Sequence, residues 1–314
     1  MPEPLETFVK VALRPMQAPP EAVPERPWGP DRLGSLRCLS TAGFHHIAYT
    51  DWGPQSGSRT VVCVHGLTRQ GRDFDYLARS LAAAGFRVIC PDLVGRGRSG
   101  WLPRVLDYVF PQYCADMATL LAALGSTQIH WIGTSLGGLI GIVLASMTDS
   151  PITKLVVNDI GPDVPTCAAA RVGVRIDRQP TKFASLEEAE HYNRRAFAAC
   201  GDLTDEQWRH FTIHALREDA DGKHYVPLMD PKVITAYHLL LYYQLTLWRY
   251  WRKIRIPILA IHGEYSDFVS PTLVRDMTLT TPQLQTHRVE GVGHMPTLMS
   301  VDEIGPIEAF LRQE

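Results

Sequence analysis

From Thr60 onward, short runs that are apolar throughout alternate with segments whose apolar positions recur every three or four residues. "TVVCVHG", "FRVICPDL", "IHWIG", "ITKLVVNDIG" and "IPILAIHG" are of the first kind. They predict strands buried on both faces. "DFDYLARSLAAAG", "YCADMATLLAALG" and "LIGIVLASM" are of the second kind and predict helices, the first two closing on Gly85 and Gly125. Upstream, "RCLSTAGFHHIAYTDWG" predicts a hairpin turning near Gly43. Strands separated by helices predict an α/β fold with a mostly parallel sheet covered on both faces.

The alternation stops near Pro162. Residues 163 to about 250 carry helical stretches instead, "SLEEAEHYNRRAFAAC" and "TDEQWRHFTIHALRE". Ser185 with Glu188, and Thr204 with Gln207, have the spacing of capping boxes. The rhythm then resumes with "IPILAIHG", a helix from about 271, "LQTHRVEG" and a last helix toward Leu311. An excursion that leaves a sheet and returns to it predicts an inserted helical lid. Residues 1–34 hold Pro19, Pro20, Pro24, Pro27 and Pro30, which exclude a long helix or a central strand and predict a surface arm. The expected division is therefore an arm at 1–34, a core at 35–162 and 251–314, and a lid at 163–250.

Composition narrows the classes. The chain has 314 residues, 45% of them hydrophobic and 20% charged, with a formal net charge of −2. That describes a globular chain with no basic surplus for nucleic acid. No run approaches the roughly 18 apolar residues of a membrane span. Lys10 and Arg14 interrupt the N-terminal apolar stretch, so no secretory signal is read and the cytoplasm is the expected location. The six cysteines include no C-x-x-C pair, and Cys63 and Cys90 lie in strand-like runs as small hydrophobes. No metal or cofactor is called for, and the oligomeric state is not legible.

Chemistry enters at "IHWIGTSLGGLIG". Gly133-Thr134-Ser135-Leu136-Gly137 fits G-x-S-x-G between a predicted strand and a predicted helix, the context in which a sharp turn exposes a serine nucleophile. The bland alternative is a helix N-cap serine. A serine hydroxyl needs a base. Of the twelve histidines, His294 in "EGVGHMP" stands in a glycine-flanked loop after the last strand, at the same sheet edge as Ser135. The base needs an acceptor for its far nitrogen. "HGEYSDFVSP" offers Glu264 and Asp267, and "VVNDIGPDVP" offers Asp159 and Asp163. Asp267 is favoured because it has left its strand and because that strand directly precedes the one delivering His294. Asp159 is expected to cap backbone N–H groups where the lid departs. Backbone amides of Leu67, after "VHG", and Leu136 are the candidate oxyanion donors.

"VHG" at 64–66, "PDLVGRGRS" at 91–99, "GTSLGG" at 133–138, "NDIGP" at 158–162, "HGEYSD" at 262–267 and "GVGHMP" at 291–296 together resemble the α/β-hydrolase superfamily, in a lid-bearing, serine esterase-like member. The resemblance implies an eight-stranded, mostly parallel sheet, a Ser135–His294–Asp267 triad, and an oxyanion hole from Leu67 and Leu136. It also implies a cofactor-independent hydrolase of a small to medium carboxylic ester. Hydrolases of enol-lactones, amides or carbon–carbon bonds, and acyltransferases, share the triad; a small-molecule receptor reusing the pocket is the non-enzyme alternative. Where relatives carry further glycines after the HG pair, Leu67-Thr68-Arg69 follow here. Arg69 and the Arg171/Arg175 pair are candidate partners for a substrate carboxylate. Tyr242 and Trp248, in "AYHLLLYYQLTLWRYW", are candidate pocket aromatics.

Overall fold

The computed structural model describes residues 29–55, 59–240 and 245–313. In chain order the strands are β1 (Arg32–Ser40), β2 (Gly43–Trp52), β3 (Thr60–Val64), β4 (Arg87–Pro91), β5 (Ile129–Thr134), β6 (Ile152–Asn158), β7 (Leu216–Glu218), β8 (Tyr225–Pro227), β9 (Ile258–Gly263) and β10 (Leu284–Val289). The helices are α1 (Asp75–Ala83), α2 (Phe110–Leu124), α3 (Leu136–Ala145), α4 (Thr166–Asp177), α5 (Leu186–Ala196), α6 (Asp205–Ile213), α7 (Pro231–Leu240), α8 (Trp248–Trp251), α9 (Pro271–Thr280) and α10 (Val301–Arg312).

Eight strands form one sheet in the order β1-β2-β4-β3-β5-β6-β9-β10. Only β2 runs against its neighbours, β1 and β4; every other adjacent pair is parallel. The continuously apolar runs occupy the centre. Every residue of β3 and of β5 is buried, as burial on both faces requires. Leu77 and Leu81 of α1 and Ile307 and Phe310 of α10 pack on one face, against Val61, Cys63 and Ile132. Met117 and Leu120 of α2, Ile140 and Leu144 of α3 and Met277 of α9 pack on the other, with Val62, Val64 and Trp131. The first strand begins at Arg32, so the core starts three residues earlier than the sequence pattern indicates. The proline-rich stretch up to residue 28 lies outside the described residues.

Between β6 and β9 the chain forms α4 to α8 and the antiparallel β7–β8 ribbon. The ribbon is the non-helical part of an insertion that is otherwise helical, as the sequence pattern indicates. Its strands are three residues each, too short for a period-2 pattern to register in sequence. Thr204 and Gln207 form a complete capping box on α6. Ser185 accepts from the Glu188 N–H, but the Glu188 carboxylate takes the N–H of Ala184 instead of the cap residue. At the neck Asp163 bridges Thr246, and the Val164 N–H donates to the Leu245 carbonyl at 3.1 Å. The excursion is fastened to loops at the carboxyl edge of the sheet. Tyr108 donates to Asp230 at 2.6 Å, Gly97 N–H to Leu228 at 2.8 Å, and Gly293 N–H to Ala199 at 2.6 Å. Among the described residues no helix is long and apolar enough to cross a membrane.

Candidate active site

The turn from β5 into α3 places Ser135 in a left-handed conformation, φ 49 and ψ −111. A non-glycine residue there is strained by roughly 1–3 kcal/mol and persists only where its surroundings over-determine it. Here they do. The Ser135 N–H donates to the Asn158 carbonyl at 3.0 Å, and Trp131 Nε1–H donates to the Gly137 carbonyl at 3.0 Å. The flanking glycines answer to close approach. A Cβ on Gly133 would overlap the backbone of Gly137, and one on Gly137 would overlap the Val64 carbonyl. The serine is thereby lifted off the sheet edge while α3 starts directly beneath it.

His294 follows β10 in a loop, with its side chain 10% exposed. Its Nδ1 lies 2.6 Å from Oδ2 of Asp159, whose side chain is fully buried. A carboxylate only accepts, so Nδ1 carries the proton in this contact, and in the neutral ring Nε2 is the nitrogen left to act as a base. The Asp159 carboxylate also accepts from the Gly263 N–H at 2.9 Å and from the Ser266 hydroxyl at 2.9 Å. Three donors hold a buried anion in one orientation. Phe268 stacks on the imidazole, with ring centroids 4.0 Å apart.

This corrects the expected acid. Asp267 does not meet His294; its carboxylate, 35% exposed, accepts from Arg171 Nε at 2.7 Å. The reason is sheet order. β6 lies between β5 and β9, so a residue just past its end stands between the serine loop and the histidine loop. Asp159 has a positive φ of 54, and its N–H donates to the Ile261 carbonyl, so the chain end is fixed to β9. In the "EYSD" loop it is Ser266, one residue earlier than Asp267, that points inward.

The Leu67 side of the site is built by two buried residues. His65 Nδ1–H donates to the Gly66 carbonyl at 2.7 Å, and its Nε2 accepts the Leu93 N–H at 2.9 Å. Burial, with Arg96 nearby, pushes its pKa down to about 3, so the ring is neutral. Arg96 is fully buried, and its Nε donates to the Leu67 carbonyl at 2.9 Å. A Cβ on Gly66 would stand 3.6 Å from Cβ of Ser135, so this loop lies directly against the serine. The Leu136 N–H, as the first of α3, has no carbonyl within its own helix to bind. Both amides therefore flank the serine.

Ser135, His294, Leu67 and Leu136 border one cavity, walled otherwise mainly by apolar side chains. The insertion contributes Val164, Ala169, Val172, Phe197 and Tyr237 to that wall.

The remaining candidates divide. Arg69 reaches the cavity, but its guanidinium is fixed by Asp73, Nε–Oδ2 2.6 Å and Nη2–Oδ1 2.7 Å, and donates to the Phe211 carbonyl at 2.9 Å. Its charge is already matched. Arg171, 57% exposed and bound to Asp267, does not border the cavity. The four-residue spacing of Arg171 and Arg175 suggested a pair; only Arg175 is on the cavity wall. Trp248 packs on the main core, with the Arg252 guanidinium 5.5 Å from its ring, and takes no part in the cavity. Tyr242 lies outside the described residues. Sequence reasoning missed Ser266, Asn158 and Arg96, though each falls inside a motif quoted for another residue.

A serine on a strained turn beside a cavity that it shares with a histidine oriented by a buried carboxylate defines a serine hydrolase. Residues 59–298 match the family model described as the alpha/beta hydrolase fold, and the chain belongs to that family. It is similar to the 3-hydroxybutyrate-oligomer hydrolase of Cupriavidus necator, 38% identical over 286 residues, which cover 89% of this chain and 97% of that one. Lipase 1 of Psychrobacter immobilis is 23% identical over 271 residues, 85% of this chain and 81% of its own. A crystal structure of a protein from Rickettsia typhi superposes with a TM-score of 0.84 at 27% identity, covering 90% of this chain and 99% of that one.

Proposed function

We propose that the protein hydrolyses a carboxylic ester of small to medium size through an acyl-enzyme on Ser135, with short linear oligoesters of a hydroxyalkanoic acid as the favoured substrates. The observation that carries the reading is the 2.6 Å contact of His294 with buried Asp159, in a ring that borders the same cavity as Ser135. The substrate class is supported by the similarity to the 3-hydroxybutyrate-oligomer hydrolase over almost the whole of both chains. The mostly apolar wall suits a hydrocarbon backbone interrupted by ester groups.

In this mechanism Ser135 Oγ attacks the ester carbonyl carbon while its proton passes to His294 Nε2. The oxygen that gains charge is received by the N–H groups of Leu67 and Leu136, each such donor being worth about 3 kcal/mol in the transition state. Asp159 stabilises the imidazolium. The tetrahedral intermediate collapses, and the leaving alcohol takes the proton from His294. Water then attacks the acyl-enzyme, giving its proton to His294, and the acid leaves with Ser135 restored. The insertion serves as a lid that narrows access and shapes the acyl pocket.

Turnover of p-nitrophenyl butyrate and of 3-hydroxybutyrate oligomers by the purified protein tests this. Ser135→Ala should lower kcat by about 10⁴ to 10⁶, and a fluorophosphonate should add its phosphonyl group, with loss of hydrogen fluoride, to the Ser135 peptide of wild type alone. Ester turnover by the alanine variant within tenfold of wild type would refute the mechanism.

A further inference from the structure

Arg175 lies in the last turn of α4, on the helix face that also gives Ala169 and Val172 to the cavity. Its guanidinium stacks over the Phe197 ring, 4.7 Å from the centroid. Among the described residues no carboxylate pairs with it. Asp267, the acid whose charge acts on it, is ion-paired with Arg171, while Asp73 pairs with Arg69 and Asp159 with His294. The wall of the active-site cavity thus holds two guanidinium groups, of which Arg69 has a carboxylate bound to it and Arg175 does not.

We propose that Arg175 receives a free carboxylate at one end of the substrate, so that the enzyme recognises carboxylate-terminated esters and works from the chain end. This deepens the ester-hydrolase reading and rests on it. A planar guanidinium fixed by an aromatic ring is suited to bidentate capture of a carboxylate. Arg175 is half-buried, so fewer waters compete for the fork than at the open surface. The same burial pushes the Arg175 pKa below its ordinary value, so an anionic ligand also relieves an unfavourably desolvated cation. An oligomer of 3-hydroxybutyrate meets the requirement, having one carboxylate per chain, two carbons from the nearest ester oxygen. Arg69 cannot take this role while Asp73 chelates it.

The test compares three substrates: the 3-hydroxybutyrate dimer, the same dimer with its carboxylate converted to a primary amide, and p-nitrophenyl butyrate. Wild type should prefer the dimer over the amide by about 100-fold in kcat/KM, as for other charged contacts broken on one side. Arg175→Gln should abolish that preference, the kcat/KM for the dimer falling to that for its amide in the same variant. Arg175→Lys should restore part of it. The dimer-to-amide ratio is internal to each variant, so a loss of folded enzyme cancels from it. A wild-type ratio near one, or a ratio that survives Arg175→Gln, overturns the assignment while leaving the ester hydrolase intact. Wild-type inactivity on all three esters would instead strike down the proposed function itself.

Discussion

Asp159 Oδ2 stands 2.6 Å from His294 Nδ1, although 135 residues of chain separate them. Two neighbouring strands make the meeting possible. β6 ends at Asn158, and its Asp159 N–H reaches across to the Ile261 carbonyl on β9, fixing the carboxylate at the sheet edge. Asn158 works on both sides of this junction. Its carbonyl accepts the Ser135 N–H, while its side-chain amide donates to Thr134 Oγ1 at 3.1 Å and to the Pro296 carbonyl at 2.9 Å. Two consecutive residues therefore tie the serine turn and the histidine loop to one strand end.

If Asp159 orients the base, Asp159→Asn should lower kcat by about 10⁴, because the amide leaves the imidazole in the wrong tautomer. Asp267→Asn should leave kcat within about threefold, since it breaks only an exposed pair with Arg171, worth about 1 kcal/mol or less. Steady-state kinetics on p-nitrophenyl butyrate decide the matter. The reverse ranking would return the acid role to Asp267.

The glycines around Ser135 make a second expectation quantitative. Gly137→Ala places a methyl group against the Val64 carbonyl, a backbone atom of a central strand that cannot yield. Overpacking there should cost about 1–3 kcal/mol of stability, and it displaces the loop that carries Leu67. Gly305 in α10 is the control. A Cβ there meets nothing within 4 Å, and Gly305→Ala should stabilise by about 0.5–1 kcal/mol through helix propensity alone. Chemical denaturation of both variants checks the pair; a neutral Gly137→Ala would show that β3 is freer to shift than its burial implies.

The strands and the serine turn were legible because their signals are local. An apolar run five or six residues long reports its own burial, and G-x-S-x-G reports its own turn. His294 was legible from chain order, as the loop after the last strand. The acid was not, because the choice between Asp159 and Asp267 depends on where two loops cross in space. Chain order favours Asp267, whereas sheet order puts Asp159 between the reacting loops. Whether Ser266 or Asp267 points inward is a matter of one residue in an irregular loop, with no periodicity to register it. Likewise, the four-residue spacing of Arg171 and Arg175 suggested a common role. Asp267 draws the first outward, and Phe197 holds the second at the cavity.

His65 gives the last expectation, a dependence of stability on pH. In the folded protein its Nε2 accepts the Leu93 N–H, so a proton there would set two donors against each other beside Arg96. Its pKa accordingly falls from the ordinary 6.5 to about 3. Below pH 6.5 the unfolded chain binds a proton that the folded one refuses, so folding loses stability as the pH drops. The contribution is fully present above 6.5 and is lost progressively toward pH 3. At about 1.4 kcal/mol per unit below the unfolded pKa, His65 alone should remove about 3 kcal/mol between pH 7.5 and 4.5. Asp75 runs the opposite way, its pKa held up to about 7 by burial, so the raw slope mixes the two. The difference between wild type and His65→Asn isolates the histidine, since Asn keeps a donor and an acceptor but does not titrate. Guanidinium unfolding at pH 7.5 and 4.5 should show the variant less stable at the higher pH and losing about 3 kcal/mol less on acidification. Parallel pH profiles for the two proteins would mean that His65 accepts its proton without disturbing the loop, and that Leu93 is held by something else.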